Sequence, residues 1–278
     1  MDVQSKYSAR TLILEIIVIL LGLVFLIPFY FLIINSVKSF GDILSNSASW
    51  PQQFVWSNYV DAWKAIDFPS ALKNSLIVTI ASNLLLVLIS AMAAYQMVRH
   101  PSRFNRILYF VLVAAMVIPF QSIMLPLMEM ASAYRLSNSM LGLIVSYLGF
   151  GAPLSIFLFH GFVKNVPLEI EQAARVDGSN RYGVFFRIVC PLMMPMFVTV
   201  IILNTLWIWN DYLLPSLMLS SPEMRTIPLA TYSFFGQYTK QWDMALPALV
   251  LGITPIIIFF LFLQRYIIQG ITAGSVKG

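Results

Sequence analysis

The sequence predicts an all-α integral membrane protein. It has six transmembrane helices, both termini in the cytoplasm and a short charged helix between spans four and five. Three observations predict it. Of the 278 residues, 59% are hydrophobic and only 10% charged, against about 25% charge in a soluble domain. Apolar runs at about 12–34, 74–98, 107–129, 139–163, 191–213 and 246–268 each suit the roughly 20 residues that cross a bilayer core as a helix. The basic residues are distributed unequally between the two sets of loops, which sets the orientation.

The first run follows Lys6 and Arg10 and is much longer than the roughly 7–15 apolar residues of a signal peptide. No small-residue cleavage site follows it, so it is expected to be a retained span. With the N-terminus inside, eleven basic residues face the cytoplasm: Lys6, Arg10, Arg99, Arg103, Arg106, Lys164, Arg175, Arg181, Arg187, Arg265 and Lys277. Six lie outside: Lys38, Lys64, Lys73, Arg135, Arg225 and Lys240. That asymmetry follows the positive-inside rule. It accounts for the net charge of +5 without a nucleic-acid partner. The chain reads as a single membrane domain over residues 1–278.

Two outer segments are long. Residues 36–72 carry Trp50, Phe54, Trp56, Tyr59, Trp63 and Phe68, and residues 214–245 carry Phe234, Phe235 and Trp242 with several prolines. Such aromatics fit either an interfacial belt or a docking surface for an external protein. Within the spans, Pro119 and Pro126 (third), Gly149, Gly151 and Pro153 (fourth) and Pro247 and Pro255 (sixth) are expected to break helices, as a moving pathway permits.

Several chemistries are missing. There is no phosphate-binding G-x-x-x-x-G-K-[ST] loop, no H-E-x-x-H and no G-x-S-x-G. One cysteine, Cys190, and two histidines leave no metal cluster to be expected. The chain should therefore have no catalytic residue and bind no metal or cofactor itself. Ionisable residues in the spans are few, with Glu15, Glu129 and Asp211 near span ends, where an ion-coupled transporter would carry charge at membrane depth. The polar residues there are neutral: Asn83, Gln121, Tyr147, Asn204, Trp207 and Asn210. They fit either interhelical hydrogen bonding or a substrate pathway in which amides pair with hydroxyls and aromatic faces stack on sugar rings.

The segment 164–190 is charged and glycine-punctuated. Pro167 suits a first helical turn. Glu169 and Glu171 suit the positive end of a helix and Arg175 the other end. Glu171 and Arg175 form an i, i+4 pair. Ile170, Ala173, Ala174 and Asp177 share a face, and Gly178 terminates the helix. A helix of about ten residues is too short to stand alone in water, so it packs on its own membrane domain or on another protein.

The run Glu171-Gln172-Ala173-Ala174-Arg175-Val176-Asp177-Gly178, followed by Ile188-Val189-Cys190-Pro191, resembles the cytoplasmic EAA loop of ABC importer permeases. The likeness extends over almost the whole chain. It includes Asn58-Tyr59, Asn74-Ser75, Ala93-Ala94-Tyr95 with Arg99, Met116, Pro119, Pro126-Leu127, Trp209-Asn210-Asp211, and the tail from Gln264-Arg265-Tyr266 through Gly270 to Gly278. That tail is similar to the C-terminus of the carbohydrate branch, the maltose-permease and multiple-sugar permeases. The chain departs from the pattern at Gln172, where the motif usually has glutamate, and at Cys190, where leucine usually precedes the proline.

The resemblance implies the permease subunit of a binding-protein-dependent sugar importer in a bacterial or archaeal cytoplasmic membrane, with a di- or oligosaccharide as cargo. Residues Glu171, Gln172, Ala173, Ala174, Arg175, Asp177 and Gly178 would form the coupling helix, and the C-terminal tail would reach toward the ATPase subunits. The partners implied are a second permease, two ATPase subunits that carry the ATP and Mg, and an extracytoplasmic solute-binding protein. A permease of the same family for glycerol-3-phosphate, a peptide or another small polar solute is the nearest alternative; a cationic pathway would support the first, and no arginine lies at mid-membrane depth.

Overall fold

The computed structural model describes residues 9–236 and 240–275, with side chains from Arg10 to Gln264. In chain order its main helices are α1 (Ala9–Asn35), α2 (Phe40–Ser45), α3 (Ser57–Ala65), α4 (Phe68–Arg99), α5 (Arg103–Ala115) and α6 (Phe120–Ala133). There follow α7 (Met140–Val163), α8 (Leu168–Val176), α9 (Arg181–Leu192), α10 (Met194–Asn210), α11 (Leu213–Met218) and α12 (Trp242–Ser275). Among the described residues four helices are long and apolar enough to cross a bilayer, at Arg10–Asn35, Phe68–Arg99, Met140–Val163 and Trp242–Gln264. The pairs α5 with α6 and α9 with α10 raise the number of crossings to six if each bent pair is one span.

The bends have local causes. Between α5 and α6 the chain turns by 108°. Three successive tight turns (Met116 N–H to Val113, Val117 to Ala114, Ile118 to Ala115) end α5, and Pro119, with no N–H to give, stands as the N-cap of α6. Between α9 and α10 the bend is 76°, centred on Met193 with ψ near 2°, where Pro195 withholds a donor. The expected fifth span, 191–213, thus begins about ten residues early as helix and then breaks. Asn180 starts α9 by accepting from the Gly183 N–H at 2.8 Å, so the irregular part of the 164–190 segment ends there.

The other prolines do not break their helices. Pro126 and Pro153 lie inside α6 and α7, and α12 runs unbroken through Pro247 and Pro255. One missing hydrogen bond does not break a helix when its neighbours hold it in place. Of the glycines named with them, Gly151 marks a close approach: a Cβ there would sit 2.8 Å from Leu86 and 3.2 Å from Trp207.

Two compact units contribute separately: residues 1–67 with 231–253, and 68–230 with 254–278. In the first, α1 is apolar on all sides and exposed from Arg10 to Phe31, with Ile34 and Asn35 buried at its end. The connection after it folds around Lys38, which is 2% exposed. Its ammonium donates to the carbonyls of Asn46 (2.8 Å) and Ser47 (3.3 Å). The Asn58 amide donates to the Lys38 carbonyl at 2.8 Å, and Tyr59 shares a 2.7 Å hydrogen bond with Ser36. Burial pushes the Lys38 pKa down, with nearby Asp42 opposing it. Trp50, Phe54 and Trp56 form an exposed aromatic run beside this knot, with Phe54 and Trp56 stacked at 6.0 Å.

In the second unit α4 packs along α7, and α10 crosses both. Small residues permit the close approach: Ala91, Ala94, Ser82, Ser90 and Ser155 are all fully buried. One core cluster centres on Phe159, Val163, Val184 and Met193 and another on Leu86, Leu143, Tyr147 and Ile208. Asn138 and Asn74 order the segment after α11. Asn138 accepts from the Ser220 and Ser221 backbone N–H groups, and Asn74 donates to the carbonyls of Glu223 and Arg225.

Candidate functional site

The short helix of the central segment, α8, forms at Leu168–Val176. Pro167 is its N-cap rather than a first-turn residue. Its end is a Schellman motif: Ser179 N–H bonds the Ala174 carbonyl at 3.0 Å and Gly178 N–H the Arg175 carbonyl at 3.1 Å. Gly178 has φ +84° and open space where a Cβ would be, so the backbone conformation alone selects glycine.

Glu171 does not pair with Arg175, four residues on. Its carboxylate is 0% exposed and is gripped by the end of α4. Arg99 donates from Nε to Oε1 at 2.7 Å, and the Tyr95 hydroxyl donates to Oε2 at 2.7 Å. A further Arg99 nitrogen donates to the Val166 carbonyl at 2.7 Å, so one guanidinium clasps both the approach to α8 and its second turn. Tyr95 in turn packs its ring on Phe185, 5.1 Å between centroids. Phe185 belongs to a π-helical stretch, Val184–Val189, inside α9. Such wide turns are rare and recur at functional positions.

The faces of α8 are therefore inverted relative to a soluble surface helix. Glu171 and Ala174 point inward, whereas Leu168, Ile170 and Val176 point outward, Val176 being 87% exposed. Gln172, Ala173, Arg175 and Asp177 are exposed too, so the expected common face of Ile170, Ala173, Ala174 and Asp177 divides, with Ala174 alone inside. A helix that hides its carboxylate and shows its valine presents a face suited to another surface. Beside it, Asp177, Gly178, Tyr182, Phe186 and Arg187 line a cleft of about 600 Å³. His100, just past α4, contacts Arg181. Burial lowers its pKa, and the charges of Arg181 and Arg175 lower it further.

The neutral polar residues of the spans fall into two groups. Asn83 is buried and donates to the Thr205 hydroxyl at 2.9 Å, and Asn204 is buried and donates to the Ser155 hydroxyl at 3.1 Å. Tyr147, fully buried, donates to the Asp211 carboxylate at 3.0 Å and meets the Trp207 ring edge-on at 5.4 Å. These contacts tie α10 to α4 and α7. Asn83, Thr205 and Thr79 also line a mostly apolar cavity of about 350 Å³ with Trp209 and Phe259. Trp207 is half-exposed, and Asn210 is exposed with its amide bonded to the Leu206 carbonyl. Gln121, exposed on α6, takes no part in these contacts.

Sequence reasoning missed Tyr95 and Arg99 as partners of Glu171, and Asp211 as the partner of Tyr147. The sequence showed Arg99 as a basic residue at a span end and, with Tyr95, as part of the family resemblance, but paired neither with Glu171. Of the tail, the helix continues to Ser275, while side chains from Arg265 onward and residues 276–278 lie outside the described residues.

A helical protein of several spans, with a short inverted helix clasped to the end of one of them, is the class of molecule this geometry defines. Residues 86–273 match the family model for the binding-protein-dependent transport system inner membrane component. The chain belongs to that family and is a multi-pass protein of the cytoplasmic membrane. It is 38% identical to the probable starch degradation products transport system permease protein AmyC of Thermoanaerobacterium thermosulfurigenes, over 99% of this chain and 100% of that one. It is 32% identical to the melibiose/raffinose/stachyose import permease protein MelC of Bacillus subtilis, over 98% and 99% of the two chains. A crystal structure of a bacterial ABC transporter that imports the acidic polysaccharide alginate contains a chain of the same fold. The TM-score is 0.79 at 20% identity, over 94% of this chain and 98% of that one.

Proposed function

We propose that this chain is a permease subunit of an ATP-driven sugar importer, carrying a di- or oligosaccharide delivered by an external solute-binding protein. The observation that carries the mechanism is the orientation of α8: a buried Glu171 clasped to α4, with Leu168, Ile170 and Val176 turned outward. The named relatives are a probable permease for starch degradation products and an import permease for melibiose, raffinose and stachyose, which supports a saccharide as the cargo.

In this reading both bent helix pairs count as single spans, giving six, with both termini and α8 cytoplasmic. A second permease completes the pathway. Two ATPase subunits bind ATP and Mg and receive the outward face of α8, while this chain binds no cofactor and does no chemistry. When the ATPases close on ATP, α8 is drawn with them. Because Arg99 and Tyr95 fix Glu171 to the end of α4, the displacement passes into that span and through its packing into α7 and α10. Alternating access follows as these spans rock.

Co-purification with the ATPase subunits, followed by an ATPase assay with binding protein and a panel of oligosaccharides, tests the reading. Stimulation by at least one oligosaccharide is expected. Uptake that persists without the ATPase subunits and collapses with an ionophore would overturn it.

A further inference from the structure

A second cavity, of about 490 Å³, lies among the end of α4, the first two turns of α5 and the last turn of α7. It is distinct from α8 and from the polar contacts of α10. Arg106 and Lys164 line it, and no carboxylate does. Neither cation has an ion pair among the described residues, in contrast to Arg99 nearby, which is committed to Glu171. The Ser102 hydroxyl is spent on capping α5, accepting from the Asn105 N–H at 3.0 Å, so the positive field of the cavity comes from side chains. Its wall is aromatic: His160 and Tyr109 stack at 4.0 Å between ring centroids.

Immediately beside the two cations, α5 exposes Phe104, Ile107 and Phe110 (71%, 63% and 62% exposed). Their spacing places them along one side of the helix. Two uncompensated cations at the end of a span, bordered by an exposed apolar stripe running toward mid-span, complement an amphiphile with a negative head. Basic pockets between transmembrane helices receive anionic headgroups in this way.

We propose that this cavity is a binding site for an anionic phospholipid, with its phosphate on Arg106 and Lys164 and an acyl chain along Phe104, Ile107 and Phe110. A soluble phosphate would share the headgroup chemistry but would leave the apolar stripe unused.

The test is native mass spectrometry of the purified full chain titrated with phosphatidylglycerol or phosphatidylcholine. The wild type should retain phosphatidylglycerol selectively. R106Q/K164Q should bind it roughly 30-fold more weakly with phosphatidylcholine unchanged. R106K/K164R, which keeps both charges, should bind as the wild type does, and so should K73Q at the other end of α4. Phosphatidylglycerol affinity that is equal in the wild type and R106Q/K164Q would overturn the proposal, as would displacement of the lipid by equimolar inorganic phosphate. Loss of the lipid when the ATPase subunits assemble, with Arg106 and Lys164 then protected, would assign the cavity to a protein contact and overturn it too.

Discussion

Among the described residues the two units each bury one charged side chain almost completely, and they solve the problem differently. Lys38 is satisfied locally by the carbonyls of Asn46 and Ser47, eight and nine residues away. Among the described residues no carboxylate forms an ion pair with it, and burial drives its pKa down. Glu171 is satisfied across the fold by Arg99 and Tyr95, 72 and 76 residues away. The first arrangement makes a self-contained knot. The second joins α8 to the end of α4, the contact through which the proposed mechanism would pass displacement.

That contrast can be broken most forcefully at the ion pair. E171L or R99M alone strands a buried charge and should cost about 3–5 kcal/mol, measured as loss of thermal stability of the purified protein. Next comes Gly178. G178V forces a β-branched residue to φ +84° and should cost about 1–3 kcal/mol. G178N should be nearly neutral, since asparagine tolerates this conformation. A similar loss for both would mean that space, rather than backbone conformation, sets the requirement.

K38M should cost about 1–3 kcal/mol by leaving two carbonyls unsatisfied. The loss should stay confined to its own unit, read by hydrogen exchange over residues 36–66, with the segment around α8 unaffected. Spread of the exchange to α8 would erase the distinction between the two arrangements.

The smallest effect concerns His100, whose folded pKa is depressed. A depressed pKa means that the unfolded chain takes up the proton first. The contribution is therefore fully present above pH about 6.5 and is lost as pH falls through the folded value. H100Q should flatten the acid limb of the thermal-stability profile below about pH 6.5. An unchanged limb would show that His100 does not titrate there against Arg181.

Much of this was legible in sequence where the cause was local. Pro167 and Gly178 bracketed α8 because they act through their own φ and missing donors, and the apolar runs located the long helices because hydropathy is a local sum. The partner of Glu171 was not legible. Helical spacing offered Arg175, whereas the fold supplied Arg99 from another helix, and only the packing of α4 on α7 brings it there.

The prolines failed for the same reason. Pro119 breaks its span and Pro153 does not, because the outcome depends on which neighbours hold the backbone. The amides of Asn83 and Asn204 were equally undetermined, since pathway and interhelical hydrogen bonding need the same residue types. In this chain both amides bridge helices.

In the proposed mechanism the Glu171–Arg99 pair carries displacement from α8 into α4. That step is tested most directly by a double-mutant cycle of E171L, R99M and E171L/R99M in the assembled transporter, read as sugar transported per ATP hydrolysed. Each single substitution should lower that ratio by about tenfold. The double variant, with apolar side chains replacing the pair, should lose clearly less than the two singles combined. Losses that simply add, or singles that transport as the wild type does, would contradict it.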